Sequence, residues 1–240
     1  MGKIGIIGGS GVEELIFTKN FRERKIRTKY GLVPINEGKV ENKEVVFLLR
    51  HGKSYALPSE INYRANIAAL KKIGVDKILC TAAVGAINRK MHPGDFAVLT
   101  DFIDFTKGIR ETFTRRSFID VSQPYDPDLN KIIVSEAKKM KVRIHPKAIY
   151  ACTEGPRFET KAEIAAMAKL GCDVVGMTQV PEVVLAKEVG IPYAAIAVVT
   201  NYACGITKEK IDPDHVVEVM REKSKLLSRL LSEIIRSLPE

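Results

Sequence analysis

The chain has 240 residues, 45% apolar and 28% charged, with 38 Lys and Arg against 29 Asp and Glu for a formal charge of +9. That length allows one large domain or two small ones, and no apolar run approaches the ~18 residues that cross a bilayer. The four cysteines, Cys80, Cys152, Cys172 and Cys204, form no CxxC pair, so small buried hydrophobes are expected rather than a metal site or disulfide framework.

The first element is the strand Lys3–Gly8, inside MGKIGIIGGSG. Its apolar run is short and broken by glycines, which reads as a strand and not as a signal peptide, so a cytoplasmic location is expected. Further strand-like runs follow at Val45–Arg50, Lys77–Thr81, Phe96–Asp101, Ala148–Thr153, Val174–Met177 and Tyr193–Thr200. Helical patterns fall between several of them, at Glu60–Ile73, Leu129–Met140, Thr160–Leu170 and Pro181–Val189, and a long amphipathic helix from Asp214 to Leu238 is capped near Asp212. Alternating strands and helices imply an α/β sheet with crossover connections. No repeat or low-complexity linker divides the chain, so residues 1–240 are read as one domain. The stretch from Thr106 to Pro127, with RETFTRRSF, reads as a long excursion of the kind often found at functional sites or interfaces. Lysines are scattered among glutamates, there is no tryptophan, and no basic stripe is interleaved with aromatics; nucleic acid is not the expected partner.

Several strand ends carry chemistry. GIIGGSG follows the first strand, where a glycine-rich turn offers backbone N–H groups to an anion and Ser10 offers a hydroxyl. The dinucleotide fingerprint GxGxxG is absent because position 14 is Glu, and no GK[ST] marks a P-loop; a plain strand-to-helix turn is the alternative. LLRHG sets Arg50 and His51 at another strand end, where a guanidinium suits phosphate through two parallel hydrogen bonds, or else pairs with a structural carboxylate. CTAAVGA ends a third strand in small residues, which let a ligand approach the backbone at Ala83 or simply let a helix pack closely. TEGPRFET places Phe158 beside Glu159, either a platform and acceptor for a heterocycle or a core aromatic and a helix-dipole charge. GMTQVPE offers Met177, Thr178 and a helix-starting Glu182. AVVTNYACGI delivers Asn201 to the end of an apolar run, as a turn cap or as a reader of a ligand's edge.

In this order, IGIIGGSG, RHG, INYRANIAALKKIG, TAAVGAI, PGD, EGPRFET, GMTQVPE and VVTNYACG resemble the trimeric type of the methylthioadenosine/purine nucleoside phosphorylase family over nearly the whole chain. The resemblance implies a mixed, barrel-like twisted sheet flanked by helices, and active sites near subunit interfaces of a homotrimer or dimer of trimers. It implies reversible phosphorolysis of a purine nucleoside, with inorganic phosphate as co-substrate and neither metal nor cofactor, and no nucleic-acid or membrane partner. By the same resemblance Ser10, Arg50, His51, Ala82, Ala83 and Thr178 hold phosphate, Met177 lies under the ribose, and Phe158 packs on the base. Many relatives have Thr or Asn where this chain has Ala82, and His where it has Tyr55.

The resemblance also implies the base. Relatives that cleave 6-aminopurines have Asp at Asn201, typically Ser at Glu159, and a second Asp at Ala203. An amide can donate to O6 and accept from a protonated N7, and a carboxylate can accept from the N1–H that only a 6-oxopurine carries. Asn201, Glu159 and Arg50 are thus the expected catalytic residues, acting on inosine and guanosine and extending to S-methyl-5′-thioinosine. His215, at the start of the last helix, is expected to reach the 5′-hydroxyl, or else to be an exposed first-turn histidine. The alternatives are a methylthioadenosine phosphorylase, a nucleotide-cofactor oxidoreductase and a non-catalytic purine-binding protein.

Overall fold

Among the described residues, nine strands form one sheet in the order β2-β3-β4-β1-β5-β8-β7-β6-β9, and an additional β5–β9 pairing closes five of them into a ring, β5-β8-β7-β6-β9. The computed structural model describes residues 2–9, 21–52, 56–107, 112–113 and 118–239. The strands are β1 Lys3–Gly8, β2 Arg22–Thr28, β3 Gly31–Val40, β4 Lys43–Leu49, β5 Val75–Ala86, β6 Phe96–Asp104, β7 Ile144–Cys152, β8 Val174–Gly176 and β9 Tyr193–Tyr202. Flanking them are the helices α1 Tyr63–Lys72, α2 Pro127–Lys139, α3 Lys161–Lys169, α4 Glu182–Glu188 and α5 Pro213–Ser237. This is the mixed, barrel-like α/β architecture that the resemblance implies.

Each strand expected from the sequence forms, and β5 and β9 run beyond their expected ends. The hairpin β2–β3 was not expected. β2 buries only Ile26 among seven residues, and β3 contains Pro34 and Gly38. It lies at the sheet edge, paired antiparallel from Arg22↔Glu37 to Thr28↔Gly31. A highly charged edge strand resists pairing with other chains, and that same charge removes the apolar alternation by which strands are recognised.

Helix ends follow local chemistry. α1 begins later than its apolar pattern, because Asn62 accepts from the Ala65 N–H and Pro58–Glu60 forms a short 3₁₀ turn ahead of it. Asp126 and Asp212 cap α2 and α5 in the same way, each followed by proline in the first helical turn. α1 and α4 pack on one side of the sheet through Ile67, Leu70, Val183 and Leu185. α2 and α5 pack on the other through Ile133, Leu227, Leu230 and Ile234. Ile67, Ile133 and Leu230 are fully buried, and each such side chain contributes about 1.5–3 kcal/mol relative to exposure.

Irregular pairing in β5 and β9 shapes one rim of the sheet. β1 stops pairing with β5 at Cys80, β8 begins only at Gly85, and β9 runs along the opposite edge throughout. Among the described residues, one backbone edge of β5 from Thr81 to Val84 therefore has no ladder partner. In β9, the register steps from Val84↔Val199 to Gly85↔Asn201. Thr200 is the extra residue of a β-bulge, which bends the strand and re-aims the side chain after it.

Candidate active site

The ends of β4, β5, β8 and β9 converge on one cavity, whose wall includes Gly9, Arg50, Ala83, Glu159, Thr178 and Asn201. The convergence follows from topology. β1, β4, β5 and β9 are parallel neighbours, so their carboxyl ends share one rim, where open α/β sheets bind ligands. β8 runs antiparallel to β5 and carries the chain through Gly176 back alongside the bare edge of β5. The small side chains of Ala82 and Ala83 leave that edge approachable.

Arg50 is almost wholly buried, with 1% of its side chain exposed. Its Nε and Nη2 donate to Oε2 and Oε1 of Glu182 at 2.7 and 2.9 Å, Nη1 donates to the Thr81 carbonyl at 3.0 Å, and Nη2 also donates to Cys80 Sγ at 2.7 Å. Burial opposes the charge, but Cys80 and the Glu182 carboxylate hold the guanidinium pKa above its ordinary value. Burial also pushes the Cys80 thiol up to about 11, so it sits here as a neutral thiol. The expected two-pronged clamp on phosphate is thus corrected. The Nε–Nη2 fork faces Glu182, a fully buried carboxylate also held by Tyr193 Oη at 2.5 Å. The Nη1 edge, carrying one further N–H of the five, faces the cavity on the Gly9 side.

His51 lies beside Gly9, its Nδ1 2.8 Å from the Ala56 carbonyl. A carbonyl can only accept, so Nδ1 carries the proton of the neutral ring and Nε2 is its acceptor. Burial is the largest influence lowering the His51 pKa, and Arg50 adds to it. Thr178 is fixed through its backbone, which donates to the Tyr150 hydroxyl at 3.2 Å. Thr81 also lines the cavity, and its buried Oγ1 has no hydrogen-bond partner among the described residues. An unpaired buried hydroxyl costs roughly 1–3 kcal/mol.

At the other end Glu159 is 6% exposed. Thr153 Oγ1 donates to its Oε1 at 2.6 Å, which leaves Oε2 for a ligand's donor. The loop that carries it is fastened by Arg157, which bonds both Glu163 oxygens at 2.9 and 2.7 Å and the Phe158 carbonyl at 3.1 Å. Phe158 is an open part of the wall, 39% exposed. Met177 reaches the cavity across Gly155, where a Cβ would stand 2.5 Å from the Met177 sulfur.

Asn201 faces Glu159 across this end of the cavity wall. Its Nδ2 donates to the Tyr202 carbonyl at 2.9 Å and its Oδ1 accepts from Thr200 Oγ1 at 2.8 Å. One donor and one acceptor of the amide remain. Gly85 makes room for it, since a Cβ there would lie 3.3 Å from Asn201 Nδ2. The buried Ala203 anchors the turn beyond by donating its N–H to the Ala86 carbonyl at 2.8 Å.

The third wall comes from the last helix and the residues before it: Ile211, Val216, Val217 and Met220. His215 is not among them. It lines a neighbouring cleft with Glu218, has 56% of its side chain exposed, and lies 3.5 Å from Glu218 Oε2. The helical phase explains this: residues 216 and 220 share the inward face, the exposed Val217 stands on the border of both hollows, and 215 pairs outward with 218 at the i, i+3 spacing.

The Phosphorylase superfamily model matches residues 3–236. The chain belongs to that superfamily. It is 46% identical to a probable 6-oxopurine nucleoside phosphorylase of Thermococcus kodakarensis, over all of this chain and 94% of the relative. It is 45% identical to a probable S-methyl-5′-thioinosine phosphorylase of Methanocaldococcus jannaschii, over 97% and 91% of the two chains. A methylthioadenosine phosphorylase from Schistosoma mansoni, solved with adenine, superposes with a TM-score of 0.92 at 33% identity, over 98% and 91% of the two chains.

In this member of the superfamily one cavity brings together Arg50, His51, Ala82, Ala83, Phe158, Glu159, Met177, Thr178, Asn201 and Ala203. Ser10 and Tyr55 lie outside the described residues, and His215 faces the adjoining cleft. His92 meets the Tyr202 hydroxyl at 2.6 Å. His145 meets Asp95 at 2.9 Å. Sequence reasoning did not single out Thr81, Thr153, Thr200 or the apolar wall. Thr153 stands at the start of TEGPRFET and Thr200 in AVVTNYACGI, so polar residues beside the named carboxylate and amide were the available signal.

Proposed function

We propose that this protein is a 6-oxopurine nucleoside phosphorylase whose 5′ side accepts an apolar substituent as well as a hydroxyl. The observation that carries the base assignment is the valence left at Asn201 and Glu159. The amide keeps one N–H for O6 and one lone pair for N7–H, and Glu159 keeps one oxygen for N1–H. A 6-aminopurine would set an amino group against the amide N–H and a bare N1 against the carboxylate. A site with such groups discriminates by roughly 10⁴-fold or more, because the wrong base leaves buried groups unpaired.

Phosphate is assigned to the Arg50 end. Its oxygens would meet the Arg50 Nη1 edge, backbone N–H groups on the open edge of Thr81–Val84, the Thr178 hydroxyl and the Thr81 hydroxyl, which has no other partner among the described residues. The C1′–N9 bond breaks with its electron pair passing into the purine, which takes a proton at N7, balanced by the proton that hydrogen phosphate gives up as it becomes the sugar phosphate ester. The ribosyl group, left with oxocarbenium character, is captured by a phosphate oxygen at C1′. The protein's part is positioning and electrostatic stabilisation, with no covalent intermediate on a side chain. The reading includes no cofactor, a cytoplasmic location, and a homotrimer or dimer of trimers. Ala82 forgoes the side-chain contact that many relatives make at its position.

His215 no longer supports a preference for a 5′-hydroxyl. The wall of Ile211, Val216, Val217 and Met220 favours 5′-methylthio, and the name of the Methanocaldococcus relative agrees with that choice. Purified protein mixed with inosine, guanosine, adenosine, 5′-methylthioinosine and 5′-methylthioadenosine, each with and without phosphate, tests both parts. Phosphate-dependent release of base from the 6-oxo substrates is expected, with 5′-methylthioinosine at least as good as inosine. Cleavage of the adenosine compounds instead would overturn the base assignment.

A further inference from the structure

An asparagine is an ambiguous reader. Turned over, its amide would offer oxygen to the 6-position and NH₂ to N7, which suits adenine. Two neighbours in the chain remove the ambiguity. The Tyr202 carbonyl has no proton, so the atom 2.9 Å from it must be the NH₂. The Thr200 hydroxyl has a single proton, and its shorter contact is to Asn201 Oδ1, 2.8 Å against 3.2 Å to the Val84 carbonyl. Thr200 is 1% exposed and is the bulge residue of β9, so its side chain is held where the strand's regular alternation would not put it. The remaining lone pair of Oδ1 and the remaining N–H of Nδ2 are thereby presented in a fixed order.

We propose that Thr200 is a positioning residue for catalysis: its hydroxyl holds Asn201 Oδ1 where that oxygen accepts a hydrogen bond from N7–H of the departing purine, while the Tyr202 carbonyl independently holds the NH₂ group whose other N–H reads O6. The two arms of the amide then have separable supports. Loss of Thr200 weakens the arm that matters as N7 becomes protonated, and leaves the arm that discriminates O6. This role depends on the protein being a 6-oxopurine nucleoside phosphorylase.

The test uses Thr200→Val, close in shape but without the hydroxyl, and Thr200→Ser, which restores it. Two quantities are read for each: kcat on inosine, and the dissociation constant of 7-deazainosine, which has carbon at position 7 and no proton to share. Thr200→Val is expected to lower kcat on inosine about tenfold, the effect of one hydrogen bond, and to leave 7-deazainosine binding within about twofold, since that interaction forms only in the transition state. Thr200→Ser is expected to recover kcat, and adenosine cleavage is expected to stay at its original level in both. A merely structural role would weaken 7-deazainosine binding along with kcat, and that result overturns the proposal, as does an unchanged kcat in Thr200→Val or a serine variant that fails to recover. Should the valine variant not fold, Thr200→Ala carries the same comparison. Absence of phosphate-dependent inosine cleavage in the unmutated protein would instead remove the function itself.

Discussion

At one end of the cavity Arg50 has four N–H groups bonded within the protein, in a dry cluster with Glu182, Cys80 and Thr81. At the other end Asn201 and Glu159 each have part of their hydrogen-bonding capacity taken by neighbours and part left facing the cavity. The first arrangement makes binding and stability inseparable, because the arginine that faces the ligand also neutralises a buried carboxylate. The second separates them, since its polar groups lie at the edge of the core. Substitutions at the Arg50 end should therefore unfold the protein before they inform on chemistry, and substitutions at the Asn201 end should change chemistry in a protein that stays folded.

The largest expected effect is at Glu182. Glu182→Met strands the Arg50 charge in the interior, and removing one partner of a buried pair costs about 3–5 kcal/mol. Denaturant unfolding should show that loss. If stability fell by less than about 1 kcal/mol, the contrast between the two ends would collapse.

Asn201→Ala is the counterpart. Removing a donor and acceptor aimed at developing charge should lower kcat on inosine by about 10²–10³, with a far smaller change in the unfolding midpoint. Asn201→Asp is the finer probe. It should move preference toward 6-aminopurines, and it also brings a carboxylate oxygen toward the Tyr202 carbonyl. The new acid should therefore have a raised pKa, and a pH–rate profile on adenosine should show it. A variant fully active on inosine and inactive on adenosine would contradict the base-reading argument.

Smaller effects belong to the 5′ wall. Val216→Thr should lower kcat/KM for 5′-methylthioinosine relative to inosine by about tenfold, the scale of one apolar contact in a pocket. His215→Ala should change neither substrate by more than about threefold, a bound well inside the energy of one hydrogen bond to a charged group. A selective loss on inosine would return His215 to the 5′-hydroxyl.

The smallest effect concerns the loop carrying Phe158 and Glu159. Hydrogen bonding from Arg157 holds Glu163 down to about 2, from an ordinary value of 4.5. A depressed carboxylate contributes stability that is present above 4.5 and is lost as pH falls toward about 2. The pair is solvent-exposed, so only local loosening is expected, seen as faster hydrogen exchange in residues 154–160 over that window. Arg157→Gln should shrink the pH dependence of that exchange, leaving the part due to the Thr160 N–H.

Much of this was legible in the sequence because strand ends at a binding rim have recognisable chemistry. Glycines, small residues and isolated polar groups follow apolar runs at Gly9, Ala83, Thr178 and Asn201. Seven of the nine strands among the described residues were legible; the hairpin Arg22–Thr28 and Gly31–Val40 was hidden by charge and by Pro34 and Gly38. Three features had no local signal. The partner that takes the Arg50 fork stands 132 residues away. The bulge at Thr200 is one extra residue inside an uninterrupted apolar strand. The placement of residues 215 and 216 depends on the rotational phase of a helix, which a difference of one residue decides.

The bulge has a further consequence, because it makes strand length a coding variable. In a regular strand every side chain follows a two-residue frame, and substitutions change what is displayed without changing where. Deleting Thr200 would restore that frame and keep Asn201 opposite Gly85 and Tyr202 opposite Ala86, but it would remove the local bend and the hydroxyl that holds the amide. A single-codon deletion there would thus keep the residues on display and change the angle and the support of the amide. Relatives differing by one residue between the apolar run and the glycine at 205 should not be assumed to hold that amide at the same angle, however similar their side chains.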